Sequence, residues 1–156
     1  MTSHVNPEAS SKEGTGDVLN SSSSKSGTLM KAIAELHLAF SEHRPLDMSN
    51  LFSEDAILMF PGTADVVSRE SIRGAFDDFM NKYTTISFEV DKDFIDIGDH
   101  RATYLAKFIE VRTPRGGGLT EKVYGRMLEI WELSSEGKWE VIRMMTGRYS
   151  ETEFLQ

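Results

Sequence analysis

The sequence predicts an α+β domain, with helices gathered in its first half and an antiparallel meander filling the rest. Two observations carry this. Between Leu29 and Met80, apolar residues recur mostly at spacings of three and four, the period of an amphipathic helix. After Lys82 the chain turns to β-branched and aromatic residues, broken by clusters that favour turns. The length of 156 residues fits one domain.

Residues 1–27 contain eight Ser, three Gly and no aromatic residue. Such a stretch cannot bury enough apolar surface to offset its ordering entropy. It reads as a disordered Ser-rich tail ahead of a domain at 28–156. Thr28 is then the cap of a first helix whose stripe is Leu29, Ile33, Leu36 and Phe40. The pattern stops near His43. Pro45 opens a short second helix with Met48, Leu51 and Phe52 inward. Residues 56–60 form an apolar strand ended by Pro61-Gly62, and Val66-Val67 is its returning arm. Ser68 caps a third helix with Ile72, Ala75, Phe76, Phe79 and Met80 on one side. Strands follow at 84–94, 101–113, 119–133 and 138–148. Turns at Asp99-His100, 114–118 and 134–137 separate them.

A loop at 134–137 sets Leu133 opposite Lys138 and fixes the register of the last two strands. One face then carries Val123, Gly125, Met127, Glu129, Trp131 and Leu133 beside Glu140, Ile142, Met144 and Thr146. The other carries Tyr124, Arg126, Leu128, Ile130 and Glu132 beside Trp139, Val141, Arg143 and Met145. Both faces are partly apolar, which calls for helices on one and a second subunit on the other, a homodimer. Glu129 stands among Met127, Trp131 and Ile142. A carboxyl group there loses the water that stabilises its charge, which makes it a chemical candidate. An ordinary glutamate, partly wet or paired with Arg, is the alternative.

The net charge of −8 repels phosphate backbones and anionic lipid, so neither nucleic acid nor a membrane is an expected partner. No apolar run approaches the roughly 20 residues of a membrane-spanning helix. The first twenty residues lack the apolar core of a secretory signal, and with no Cys the chain fits a reducing, cytoplasmic setting. The absence of Cys also excludes thiolate nucleophiles and thiolate metal sites. His37 lies one step off the first stripe, either as a base at a pocket mouth or as a boundary histidine. His37 and His43 are six apart, on different helix faces, and make a poor metal pair.

Three helices, a hairpin after the second, then a meander: this order resembles the nuclear transport factor 2-like superfamily, in its SnoaL-like and ketosteroid isomerase-like branches. The likeness rests on three stretches. These are Leu51-Phe52-Ser53-Glu54-Asp55-Ala56 running into Phe60-Pro61-Gly62; Arg69-Glu70-Ser71-Ile72-Arg73-Gly74-Ala75-Phe76; and Trp131-Glu132-Leu133 with Gly137-Lys138-Trp139 and Val141. The resemblance implies three N-terminal helices packed on a strongly curved antiparallel sheet that forms a cone-shaped pocket. It also implies dimers joined through the outer sheet face.

Ketosteroid isomerase uses a carboxylate base, a tyrosine and a protonated carboxylic acid. Aligned without gaps, these positions fall on Phe60, Leu36 and Glu129. Phe60 cannot move a proton and Leu36 cannot donate a hydrogen bond. The implied pocket wall is Leu36, Phe40, Phe60, Met127, Trp131, Ile142, Met144 and Thr146. The expected function is a cofactor-independent isomerase, cyclase or dehydratase acting on a hydrophobic small molecule of polyketide or terpenoid secondary metabolism. Glu129 would be its general acid or oxyanion donor and His37 its base. The rival is a non-catalytic small-molecule-binding or dimerisation module of the same fold.

Overall fold

Helix α1 (Gly16–Ser41) opens the computed structural model, which describes residues 16–156. Of the expected tail, residues 1–15 lie outside the described residues, and from Gly16 onward the backbone is helical. Thr28 is therefore no cap. It lies inside the helix, where its Oγ1 donates to the Lys25 carbonyl at 3.0 Å. Extending a formed helix costs far less than nucleating one, so the backbone of α1 is helical well before Leu29, the first buried residue among those with described side chains.

At its other end α1 stops in a Schellman turn. The Arg44 N–H donates to Ala39 O at 2.8 Å and the His43 N–H to Phe40 O at 3.1 Å. His43 takes the left-handed conformation, with φ of 56°, where glycine is usual. Its imidazole helps to hold it there: the Thr85 N–H donates to Nε2 at 3.1 Å.

The remaining elements are α2 (Pro45–Ser49), β1 (Phe52–Met59), β2 (Val66–Val67), α3 (Arg69–Lys82), β3 (Tyr83–Ile97), β4 (Arg101–Pro114), β5 (Glu121–Leu133), β6 (Trp139–Tyr149) and α4 (Glu151–Phe154). Pro45 opens α2, but Leu51 and Phe52 are not on it; Phe52 starts β1 and is fully buried there. Ser68 caps α3, accepting from the Ser71 N–H at 3.2 Å.

The expected fold class needs three corrections. The described helices number four, not three N-terminal ones, because α4 follows the sheet. The sheet is mixed: β1 runs parallel to β6. And the sheet is open, in the order β2-β1-β6-β5-β4-β3, with β2 and β3 as free edges. It does not curl strongly into a cone. With β2 only two residues long, nothing draws the two edges together.

The last hairpin also departs from expectation. Ser134 pairs with Lys138, leaving a three-residue loop with Gly137 at φ 79°. Leu133 therefore faces Trp139, one residue later than expected. A bulge then shifts the register again, since Ile130 faces Arg143 while Trp131 faces Val141, and Ile142 is the extra residue. Trp139 and Val141 thus point inward, at 2% and 0% exposure, where the expected register placed them outside. The core lies between this face and the helices, built on Leu29, Ile33, Phe52, Ile72, Trp131 and Val141.

Candidate functional site

A cavity of about 560 Å³ lies between α1, α3 and the inner sheet face. Its walls are mostly aromatic and aliphatic. Leu36 and Phe40 come from α1, Phe76 and Phe79 from α3, and Phe88 and Phe108 from β3 and β4. The Phe40 ring centroid stands 4.7 Å from that of Phe88, which stands 5.5 Å from that of Phe108. Such a lining favours an apolar ligand and lets a few polar groups fix its orientation.

The structure brings the two candidate acid–base residues together. His37 Nε2 stands 2.7 Å from Glu129 Oε1, although ninety-two residues separate them. The helical period puts His37 just off the buried stripe, so its ring skirts the core and lines the cavity. Glu129 sits on the inward parity of β5, at 0% exposure. It does not itself line the cavity. Its second oxygen, Oε2, accepts from Trp131 Nε1 at 2.8 Å. An indole N–H can only donate, so that oxygen is committed as an acceptor. The other faces the imidazole at a distance typical of charge-assisted bonds. Glu129 therefore meets the cavity only through His37. No hydrogen bond from another described residue engages His37 Nδ1.

Tyr104 lies opposite Glu129 in the β4–β5 register, its ring 5.7 Å from the imidazole. Burial, and then the nearby Glu129 charge, push its phenol up to about 12. Tyr104 thus keeps its proton across ordinary pH.

A second polar group occupies another part of the cavity. Glu110 and Arg112, on the inward parity of β4, are 3% and 5% exposed. The Arg112 guanidinium stacks 4.1 Å over the Tyr83 ring, and its Nε donates to Glu121 Oε2 at 3.1 Å. Its Nη1 is 3.9 Å from Glu110 Oε1, too far for a hydrogen bond. Glu110 Oε1 is buried with no hydrogen-bond partner. Burial raises the Glu110 carboxyl above its ordinary value, with Arg112 and Arg148 pulling the other way.

Of the expected wall residues, Leu36, Phe40, Phe60, Met127, Met144 and Thr146 line the cavity. Trp131 does not; it is buried behind Glu129 as a donor. Ile142 does not either, because the bulge takes it out of the inward row. Tyr124 sits on the outer parity, donating to Glu151 at 3.0 Å. Sequence reasoning missed Glu110 and Arg112. Their signal was a charged pair spaced two apart in an apolar strand, but the glycine loop left the register of β4 open. Among the described residues no group of three or more His, Asp or Glu side chains could hold a metal ion.

A family model described as the SnoaL-like domain matches residues 33–142. No curated protein matches the chain. Among solved structures, a ketosteroid isomerase-like protein from Erwinia carotovora atroseptica is similar with a TM-score of 0.74 and 15% identity, over 80% of this chain and 95% of that one. A nuclear transport factor 2-like superfamily protein from Salmonella enterica gives 0.71 and 16%, over 84% and 95%. A type 2 hexachlorocyclohexane dehydrochlorinase gives 0.69 and 8%, over 86% and 90%. At these identities the likeness is one of fold.

Proposed function

Because the chain belongs to the SnoaL-like domain family, we propose that it is an enzyme of acid–base chemistry on a hydrophobic small molecule. The reaction is an isomerisation, dehydration or cyclisation that needs a proton taken from one atom and returned to another. One observation carries the reading: an imidazole on the wall of an apolar cavity, held at 2.7 Å by a fully buried carboxyl group. His37 is the catalytic residue. Glu129 is its positioning residue, fixed in turn by Trp131, because both of its oxygens are occupied. The logic matches that of buried acids that orient and charge-balance a catalytic histidine elsewhere. The names of two fold relatives, ketosteroid isomerase-like protein and hexachlorocyclohexane dehydrochlorinase, support acid–base chemistry on such a scaffold.

The test is proton exchange. Cyclic β,γ-enones and β-hydroxyketones of increasing ring number are incubated with the protein in deuterated water and followed by NMR. Deuterium incorporation or elimination that vanishes in His37→Gln supports the reading. Binding without turnover across the series would leave a non-catalytic ligand-binding module, the role favoured by Leu36 and Phe60, apolar residues on the cavity wall.

The same reading includes a homodimer formed through the outer sheet face. Phe94, Leu105, Leu128, Met145 and Met59 are paired in register across five strands. Phe94 is 53% and Met145 47% exposed, leaving an apolar row open to a second copy.

A further inference from the structure

The Glu110–Arg112 group is left over when the dyad has been assigned its role. Glu110 is six residues along β4 from Tyr104, which marks the Glu129 row. That is roughly 20 Å of strand before side chains lean together. On the cavity wall the rings of Phe88 and Phe108 stand between the two polar groups, with Phe88 6.3 Å from His37 and paired in register with Glu110. A buried carboxyl oxygen without a partner is rare, because leaving it unpaired costs free energy. Here Glu110 lines the cavity, its Oε1 buried without a partner beside a guanidinium whose Nη1 falls short of it.

We propose that this end of the cavity is a hydroxyl-recognising subsite, in which Glu110 accepts from and Arg112 donates to the alcohol or phenol group of an elongated, otherwise apolar ligand. The inference rests on the cavity being the ligand site of the proposed enzyme, and names the class of ligand it takes. The charges around the subsite favour a neutral group. Arg112, Arg148 and Lys82 are set against Glu110, Asp78 and Glu121. An anion would face Glu110 and Asp78, and a cation would face the two arginines. A hydroxyl both donates and accepts, so one atom completes both partners. The Tyr83 ring, 4.1 Å from the Arg112 guanidinium, and Glu121, which accepts from its Nε, hold the guanidinium short of Glu110.

The test compares four biphenyls by calorimetric titration of the full chain: 4-phenylphenol, 4-methylbiphenyl, biphenyl-4-carboxylate and 4-phenylbenzylammonium. The phenol should bind about tenfold more tightly than the methyl compound, and more tightly than either ion. Glu110→Leu should erase that preference, while Glu110→Gln, which keeps an acceptor, should retain most of it. His37→Leu should leave the preference intact. If Glu110→Leu does not fold, NMR of the parent decides: the Arg112 Nε–H signal should shift with the phenol and not with the methyl compound. A preference that survives Glu110→Leu but disappears in His37→Leu puts the hydroxyl at the dyad and overturns the proposal. Tightest binding of the carboxylate, or no binding of any of the four, overturns it too. These readouts are affinities, so loss of the subsite is distinct from loss of turnover.

Discussion

The ring of Phe108 lies across Gly125 on the facing strand so closely that no Cβ fits there. The ring is part of the cavity floor, and the missing side chain is what lets it lie flat. Gly125→Ala should swing the ring into the cavity. A hydrophobic dye should bind severalfold more weakly. Overpacking of about 1 kcal/mol should lower the melting temperature by about 2–4 °C. A lower melting point with undiminished dye binding would remove Phe108 from the site.

Met144 faces Glu129 across the β5–β6 pair and is 9% exposed. Met144→Asp places an unpaired charge in the cavity beside a buried carboxyl group. Dye binding should be abolished in the folded variant. Retained affinity would locate the dye elsewhere.

Removing one partner of the dyad leaves the other buried without its bond. His37→Leu should destabilise the fold by about 3 kcal/mol in chemical unfolding. Glu129→Gln keeps shape and a hydrogen-bonding amide but loses the charge that balances an imidazolium. Its kcat should fall with KM little changed, and its pH–rate profile should move away from the parent's. A purely structural role for Glu129 would leave that profile in place.

His43 couples the end of α1 to the start of β3. Burial, and then the Arg115 guanidinium, hold its imidazole below its ordinary value of 6.5. The native state therefore binds this proton less readily than the unfolded chain. The stabilising contribution is fully present above 6.5 and is lost as pH falls through the lower folded-state value. His43→Asn tolerates the left-handed backbone but cannot titrate. The stability difference between the two proteins should be largest above pH 6.5 and shrink on acidification. A constant difference between pH 7.5 and 5 would exclude His43 as the titrating group.

The outer row makes the fifth prediction. The parent chain should run as a dimer in light scattering at tens of micromolar, and Leu128→Lys should run as a monomer. A parent of monomer mass ends the dimer reading.

The β5 parity was legible in the sequence because it needs only alternation: Met127, Glu129 and Trp131 share a face whatever the register. The partner strand was not. Its register depends on the loop, where Ser134 pairs with Lys138, and on the Ile142 bulge, which no periodicity announces. Hence Trp139 and Val141 were placed outside and Ile142 on the cavity wall. Helix α4 did carry a signal, the Ser150–Glu153 capping box, whose reciprocal bonds form in the structure. The start of α1 was hidden for the opposite reason: a Ser-rich segment can continue a helix without contributing to its apolar stripe. The encounter of His37 with Glu129 is a tertiary event, beyond the reach of local pattern.

The bulge at Ile142 makes β6 count in two phases. Before it, odd-numbered residues pack under the helices as Trp139 and Val141; after it, even-numbered residues reach the cavity as Met144 and Thr146. The two halves of the strand are thus independent reading frames joined at one residue. Deleting Ile142 would merge them. Arg143 would then follow Val141 directly and keep to the outer face, and Met144 and Thr146 would still reach the cavity. The bulge is therefore a point where β6 can lose a residue without turning either half over, whereas a deletion elsewhere in the strand would flip one half against the other.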